Sequence, residues 1–145
     1  MNTVREILKT KGPGVWTVSP EVNVFKALRI MADRNVGALI VTEKDRVLGI
    51  ISERDYARKV VLLGKVSKMT LVRDIMTSPV RVVAPTATAE ECMMLMTDKH
   101  IRHLPVIESG KLAGVISIGD IVKSIISDQQ GVIENLKDYI TGKYL

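Results

Sequence analysis

Apolar and polar positions along this 145-residue chain change period several times, and they do so twice in the same order. VWTVSP (15–20) and VRVVAP (80–85) are β-branched runs closed by proline, which predicts a brief strand at each. After the first, Val24, Ala27, Leu28, Met31 and Ala32 recur at helical spacing; after the second, Ala89, Met93, Met96 and Thr97 take similar places. Thr88 and Glu91 have the spacing of a capping box at the start of the second of these helices. GALIVTEKDRVLGIIS (37–52) then reads as two strands about a tight turn, and HLPVIESGKLAGVIS (103–117) repeats it with Ser109-Gly110 at the turn. A further helix is expected after Ser52 and after Ser117. The order strand, helix, strand, strand, helix is written twice, with short helices at both chain ends.

The repetition extends to residue identity. Residues 15–60 lie over 80–125 at a constant offset of 65 without a gap, and 12 of the 46 positions are identical, among them Pro20, Leu39, Gly49, Ser52 and Asp55. Upstream, VREIL (4–8) echoes VRDIM (72–76) at an offset of 68. A unit of about 50 residues has too little interior to be secure alone, so two copies packed sheet to sheet about a pseudo-twofold axis are expected. The expected organisation is residues 1–66 as the first unit with an N-terminal helix, 67–127 as the second, and 128–145 as an amphipathic helix. In that last segment Val132, Ile133, Leu136 and Ile140 share a helical face, which docks on its own domain or on a second subunit.

Composition narrows the classes. With 46% hydrophobic and 26% charged residues the chain is expected to be globular. No apolar run approaches the roughly 20 residues of a membrane helix, and the N-terminus lacks the pattern of a signal peptide, so a cytoplasmic location is expected. Cys92 is the single cysteine and reads as core packing among methionines. His100 and His103 are three apart with no third ligand evident, so no metal is expected. The net charge of +5 lies wholly in the first half, where residues 1–65 hold 12 Lys/Arg against 7 Asp/Glu; residues 66–145 hold 9 of each. Five aromatic residues and no basic tail argue against nucleic acid and leave a localised anion site as an equally economical reading. No nucleophile–base pair has a credible partner, so no enzyme is expected.

The doubled pattern, with TVSP, IRHLPV and G-hydrophobic-Ile-Ser-x-x-Asp in order, resembles a pair of CBS domains, from about Val4 to Ile126. The resemblance implies an α+β fold of tandem β-α-β-β-α units meeting through their sheets. It also implies a non-catalytic module that binds an adenosine-containing ligand (AMP, ADP, ATP, NAD or S-adenosylmethionine), a homodimer, and a regulated partner protein that the sequence does not name. A ligand-free dimerisation or interaction module is the first alternative, and a nucleic-acid binder using the basic first half is the second.

The repeated phrases GIISERD (49–55) and GVISIGD (114–120) carry the candidate chemistry. Serine before a helix and an acid three residues on form a capping box that satisfies backbone N–H groups. The same geometry offers a helix N-terminus to phosphate and an acid to a ribose diol. The two readings are compatible. By resemblance, one cleft would join Ser52, Arg54 and Asp55 to Val80, Ile101, Arg102 and His103. The other would join Ser117, Gly119 and Asp120 to Val15, Trp16, Val36, Gly37 and Ala38. Arg54 and Arg58, one helical turn apart and followed by Lys59, make the first the more cationic.

Overall fold

The structure is a computed structural model that describes residues 2–12 and 14–140; the side chains of 131, 132 and 135–140 lie outside the description. The elements are α1 (Val4–Lys11), β1 (Thr17–Val18), α2 (Val24–Arg34), β2 (Ala38–Glu43), β3 (Arg46–Ser52), α3 (Glu53–Tyr56), α4 (Val72–Ile75), α5 (Ala89–Lys99), β4 (His103–Glu108), β5 (Lys111–Ser117) and α6 (Ile118–Ile140). They gather into two compact units. One comprises Gly14–Val82 with Ile107–Ala113; the other holds the N-terminal segment through Lys11, Val83–Val106, and the chain from Gly114 onward.

The first unit contains a three-stranded sheet in the order β1-β2-β3. β1 runs parallel to β2, pairing Thr17 with Ile40, and β2 runs antiparallel to β3 from Ala38–Ser52 to Glu43–Arg46. Lys44 and Asp45 both take positive φ (50° and 64°) at the predicted turn, the two-residue geometry that follows strand twist. Helix α2 begins where Asn23 accepts from the Lys26 N–H and ends on Asn35 in the left-handed region. Its buried residues Val24, Ala27 and Met31 pack with Leu39, Val41 and Ile51 of the sheet.

The second unit repeats this plan over β4 and β5, with Ala89, Cys92 and Met96 of α5 packed on Leu104, Val106 and Ile116. Cys92 is buried, as its methionine neighbours suggested. Thr88 accepts from the Glu91 N–H at the predicted cap. One expected strand is missing. VRVVAP makes a single parallel bridge, Val83 to Val106, instead of pairing as β1 does. The cause lies in the partner strand: the Ile40 N–H donates to the Trp16 carbonyl, whereas the residue 65 positions later is Pro105, which has no N–H.

The two short helices are exchanged between repeats. Helix α1 precedes the first repeat, yet Val4 and Ile7 are buried in the core of the second. Helix α4 precedes the second repeat, yet Val72 and Ile75 are buried in the core of the first. Both are anchored by equivalent bonds: Val4 and Arg5 donate to Ala87 and Pro85, and Val72 and Arg73 donate to Val22 and Pro20, at 2.8–2.9 Å. The phrase glycines make room for this exchange. A Cβ on Gly49 would lie 2.7 Å from the Thr77 carbonyl, and one on Gly114 would lie 2.7 Å from Leu8 Cδ2.

The helices after the repeated serines differ. In the first unit α3 gives way to a π turn, Ala57–Val61, with the Leu62 N–H bonding to the Ala57 carbonyl. In the second, α6 is one helix of 23 residues, where the sequence reading placed a separate amphipathic helix from residue 128. Ile133 is half exposed; the side chains of Val132, Leu136 and Ile140, the rest of the predicted stripe, lie outside the described residues. Among the described residues no helix is long and apolar enough to cross a membrane.

Candidate functional site

Each repeated phrase turns a strand into a helix, and the turn is built the same way twice. At the first corner the Ser52 hydroxyl accepts from the Asp55 N–H (3.2 Å), while the Asp55 carboxylate accepts from the Ser52 N–H (3.0 Å). At the second, Ser117 accepts from the Asp120 N–H (3.2 Å), and Asp120 accepts from the Ser117 N–H (2.9 Å). Both are complete capping boxes, so the capping reading holds at each corner. The first helical N–H is engaged as well. Glu53 donates to the Gly37 carbonyl and Ile118 to the Arg102 carbonyl. The sequence reading grouped Gly37 with the Ser117 phrase and Arg102 with the Ser52 phrase; within each unit the structure seats them beside the serine of their own repeat.

The carboxylates then diverge. Asp55 is buried, and four donors reach it: the Ser52 N–H and hydroxyl on Oδ2, with Thr77 Oγ1 (3.1 Å) and Lys59 Nζ (3.0 Å) on Oδ1. A carboxylate has about four lone-pair sites, so this one is fully engaged. Lys59 also donates to the Ile75 carbonyl, at 2.9 Å, which fixes it against the exchanged segment. Asp120 is more open, its side chain 18% exposed. Lys11 Nζ lies 2.8 Å from Asp120 Oδ2 and 2.9 Å from the Val115 carbonyl. Burial alone would raise the Asp120 pKa, but the Lys11 ammonium and the Ser117 donors outweigh it and hold the carboxyl below its ordinary value. His103 faces the same cluster. Burial lowers its pKa first, Lys11 and Arg102 add to that, and Asp120 opposes them, so the imidazole is neutral near neutral pH.

Other expected residues are placed as follows. Gly119 is exposed, and a Cβ there would meet only Ser117 Oγ, 3.6 Å away, so the start of α6 is open to approach. Arg54 and Arg58 are both exposed. Trp16 is 40% exposed, with the Arg34 guanidinium over its ring at 4.1 Å, so one face is already covered. Val36 and Gly37 join Glu53 and the end of α2 (Leu28, Met31, Asn35) around a pocket of about 280 Å³ in the first unit. Val15, Ala38 and Val80 are half-buried in that unit, and Ile101 packs against the core of the second. Among the described residues no three His, Cys, Asp or Glu side chains gather as a metal site would require. Lys11 was not among the expected site residues. Lys59 is legible from its i,i+4 spacing to Asp55; Lys11, 109 positions from Asp120, has no local signal.

Comparison with known proteins agrees with this duplicated plan. A protein with CBS domains from Burkholderia ambifaria MC40-6, assigned to signal transduction, is 50% identical in sequence; its structure superposes with a TM-score of 0.85 over 88% of this chain and 96% of that one. The CBS domain-containing protein CBSX3, mitochondrial, of Arabidopsis thaliana is 38% identical over 98% of this chain and 73% of its own length. The CBS domain pair of MJ0100, solved with 5′-methylthioadenosine and S-adenosyl-L-methionine, shares the fold at 20% identity, with a TM-score of 0.78 over 88% of this chain and 98% of that one. The family model described as CBS domain matches residues 4–62 and 72–127, so the chain belongs to the CBS-domain family and carries two such domains.

Proposed function

We propose that this CBS-domain protein is a non-catalytic sensor of adenine nucleotides (AMP, ADP, ATP or NAD), acting in the cytoplasm as a homodimer on a partner protein. One observation carries the reading: a partly exposed carboxylate, Asp120, stands at the N-terminus of a long helix behind Gly119, paired with Lys11, while His103 lies in the field of that pair and of Arg102. The carboxylate suits a ribose diol, and the cations with the helix N-terminus suit phosphate. Arg54 and Arg58 offer the first repeat a cationic face for further phosphate charge. The adenosyl ligands of the MJ0100 pair support the ligand class. Ligand would act by shifting the population of conformers that the partner distinguishes.

A second reading is favoured by the other corner. Asp55 is so fully engaged that its phrase serves as a cap, and a chain in which both corners did only this would be an interaction module. Native mass spectrometry of freshly purified protein, with calorimetric titration of AMP, ADP and NAD, separates the two. Retained or titratable adenine nucleotide, weakened by Asp120→Ala by about 1.5–3 kcal/mol, is expected. Absence of any binding would leave the interaction module.

A further inference from the structure

Lys11 is the last helical residue of α1, the helix contributed to the second unit from before the first repeat. Its side chain is 37% exposed, and Nζ holds two acceptors, Asp120 Oδ2 and the Val115 carbonyl. Lys11 and the Ser117 N–H both bond to Asp120 Oδ2, so a ribose diol that donates to both carboxylate oxygens would compete with Lys11 there. An ion pair this exposed resists displacement only weakly, about two- to five-fold in an equilibrium constant. The Val115 carbonyl would keep the released ammonium at the site. The first corner has no such option: Lys59 shares Asp55 with three other donors and is tied to the Ile75 carbonyl.

We propose that Lys11 is an exchangeable counterion of Asp120, which yields the carboxylate to the ribose of an incoming nucleotide and passes to its phosphate. Lys11 thereby makes the site selective for phosphorylated over free adenosine. Without phosphate, the ligand breaks the Lys11–Asp120 pair and offers the ammonium nothing in return; with phosphate, one ion pair replaces another. This selectivity rests on the nucleotide reading given above.

The test is calorimetric titration of the full chain with adenosine and with AMP, in wild type, Lys11→Met and Lys11→Arg. Wild type should prefer AMP. Lys11→Met should bind adenosine about two- to five-fold more tightly, because its competitor is gone, and should lose at least about three-fold of the AMP preference. Lys11→Arg should restore that preference. An unchanged AMP-to-adenosine ratio in Lys11→Met would overturn the proposal while leaving the nucleotide reading in place. Equal weakening of both ligands would assign Lys11 to seating α1 and would likewise overturn it. Circular dichroism of each variant, with Lys11→Gln in reserve, guards against a misfolded protein. Binding of neither ligand by any form would remove the nucleotide reading itself, and this proposal with it.

Discussion

At the scale of single residues, the repeated phrase has two causes, and each can be tested separately. Its glycines answer to packing. Gly114 faces the flexible end of Leu8, so Gly114→Ala should cost about 1–3 kcal/mol, and Leu8→Ala should relieve it. In chemical denaturation the double variant should fall short of the summed losses by at least about 0.5 kcal/mol. Gly49 faces the carbonyl of Thr77, which is paired with Ile50 in both directions, so Met76→Ala should give no comparable relief there. Strict additivity at Gly114 would mean that Leu8 is not what excludes a side chain. The charged residues answer to pH. His103 has its pKa lowered on folding, so the unfolded chain takes up its proton first as pH drops. Its effect is absent well above the ordinary histidine value of 6.5 and destabilises the fold as pH falls below it. Asp120, also lowered, stabilises the fold above its unfolded value of 3.8, and that stability disappears as pH falls through the folded value. His103→Gln should therefore flatten the loss of stability between pH 7 and pH 5 and leave the more acidic loss intact. A curve identical to wild type would show that His103 is not held neutral by this cluster.

At the scale of elements, the sequence pattern was legible wherever local rules decide and illegible where a distant partner decides. Helix α2, the β2–β3 turn and the Thr88 cap follow from spacing, turn residues and capping chemistry, and they stand where those predict. The strand expected at VRVVAP is absent because of one proline in a different strand, a fact visible only once the pairing is known. The π turn after Tyr56 and the unbroken α6 replace helices whose ends periodicity alone did not fix. The echo of VREIL by VRDIM revealed kinship without saying which core each helix enters. The exchange has a measurable signature. Ile7→Ala should cost about 2–5 kcal/mol and release amide protection in α5 and β5, whereas Ile75→Ala should release α2 and β3. Hydrogen exchange that loosened both sets equally in each variant would reject this division.

At the scale of the whole molecule, exposed apolar surface and the unlike corners make two further demands. Val61, Leu62, Leu63, Val66 and Met69 are all more than half exposed, an apolar run with no cover among the described residues. If the proposed homodimer uses it, Leu62→Ser with Met69→Ser should shift light scattering from two chains toward one; a monomeric wild type at micromolar concentration would refute the dimer. The Ser-x-x-Asp phrase was readable as a candidate site, yet local charge was the one ground for ranking its two copies, because the difference in their carboxylates lies in Thr77, Lys59 and Lys11. Arg54 and Arg58 made the Ser52 phrase the more cationic in sequence, whereas the carboxylate open to a ligand belongs to Ser117. One adenine nucleotide per chain is therefore expected at the Asp120 corner. A ligand that binds only the folded chain stabilises it by about 2.7 kcal/mol at a hundred times its Kd, which raises Tm. Asp55→Ala should lower the starting Tm by removing a buried cap and then show the full rise on adding AMP. Asp120→Ala should start nearer wild type and keep about half of the rise or less. A rise that vanished with Asp55→Ala and survived Asp120→Ala would assign the ligand to the first repeat, despite its engaged carboxylate. Two nucleotides per chain, each removed by one substitution, would mean that Thr77 and Lys59 release Asp55 as readily as Lys11 releases Asp120.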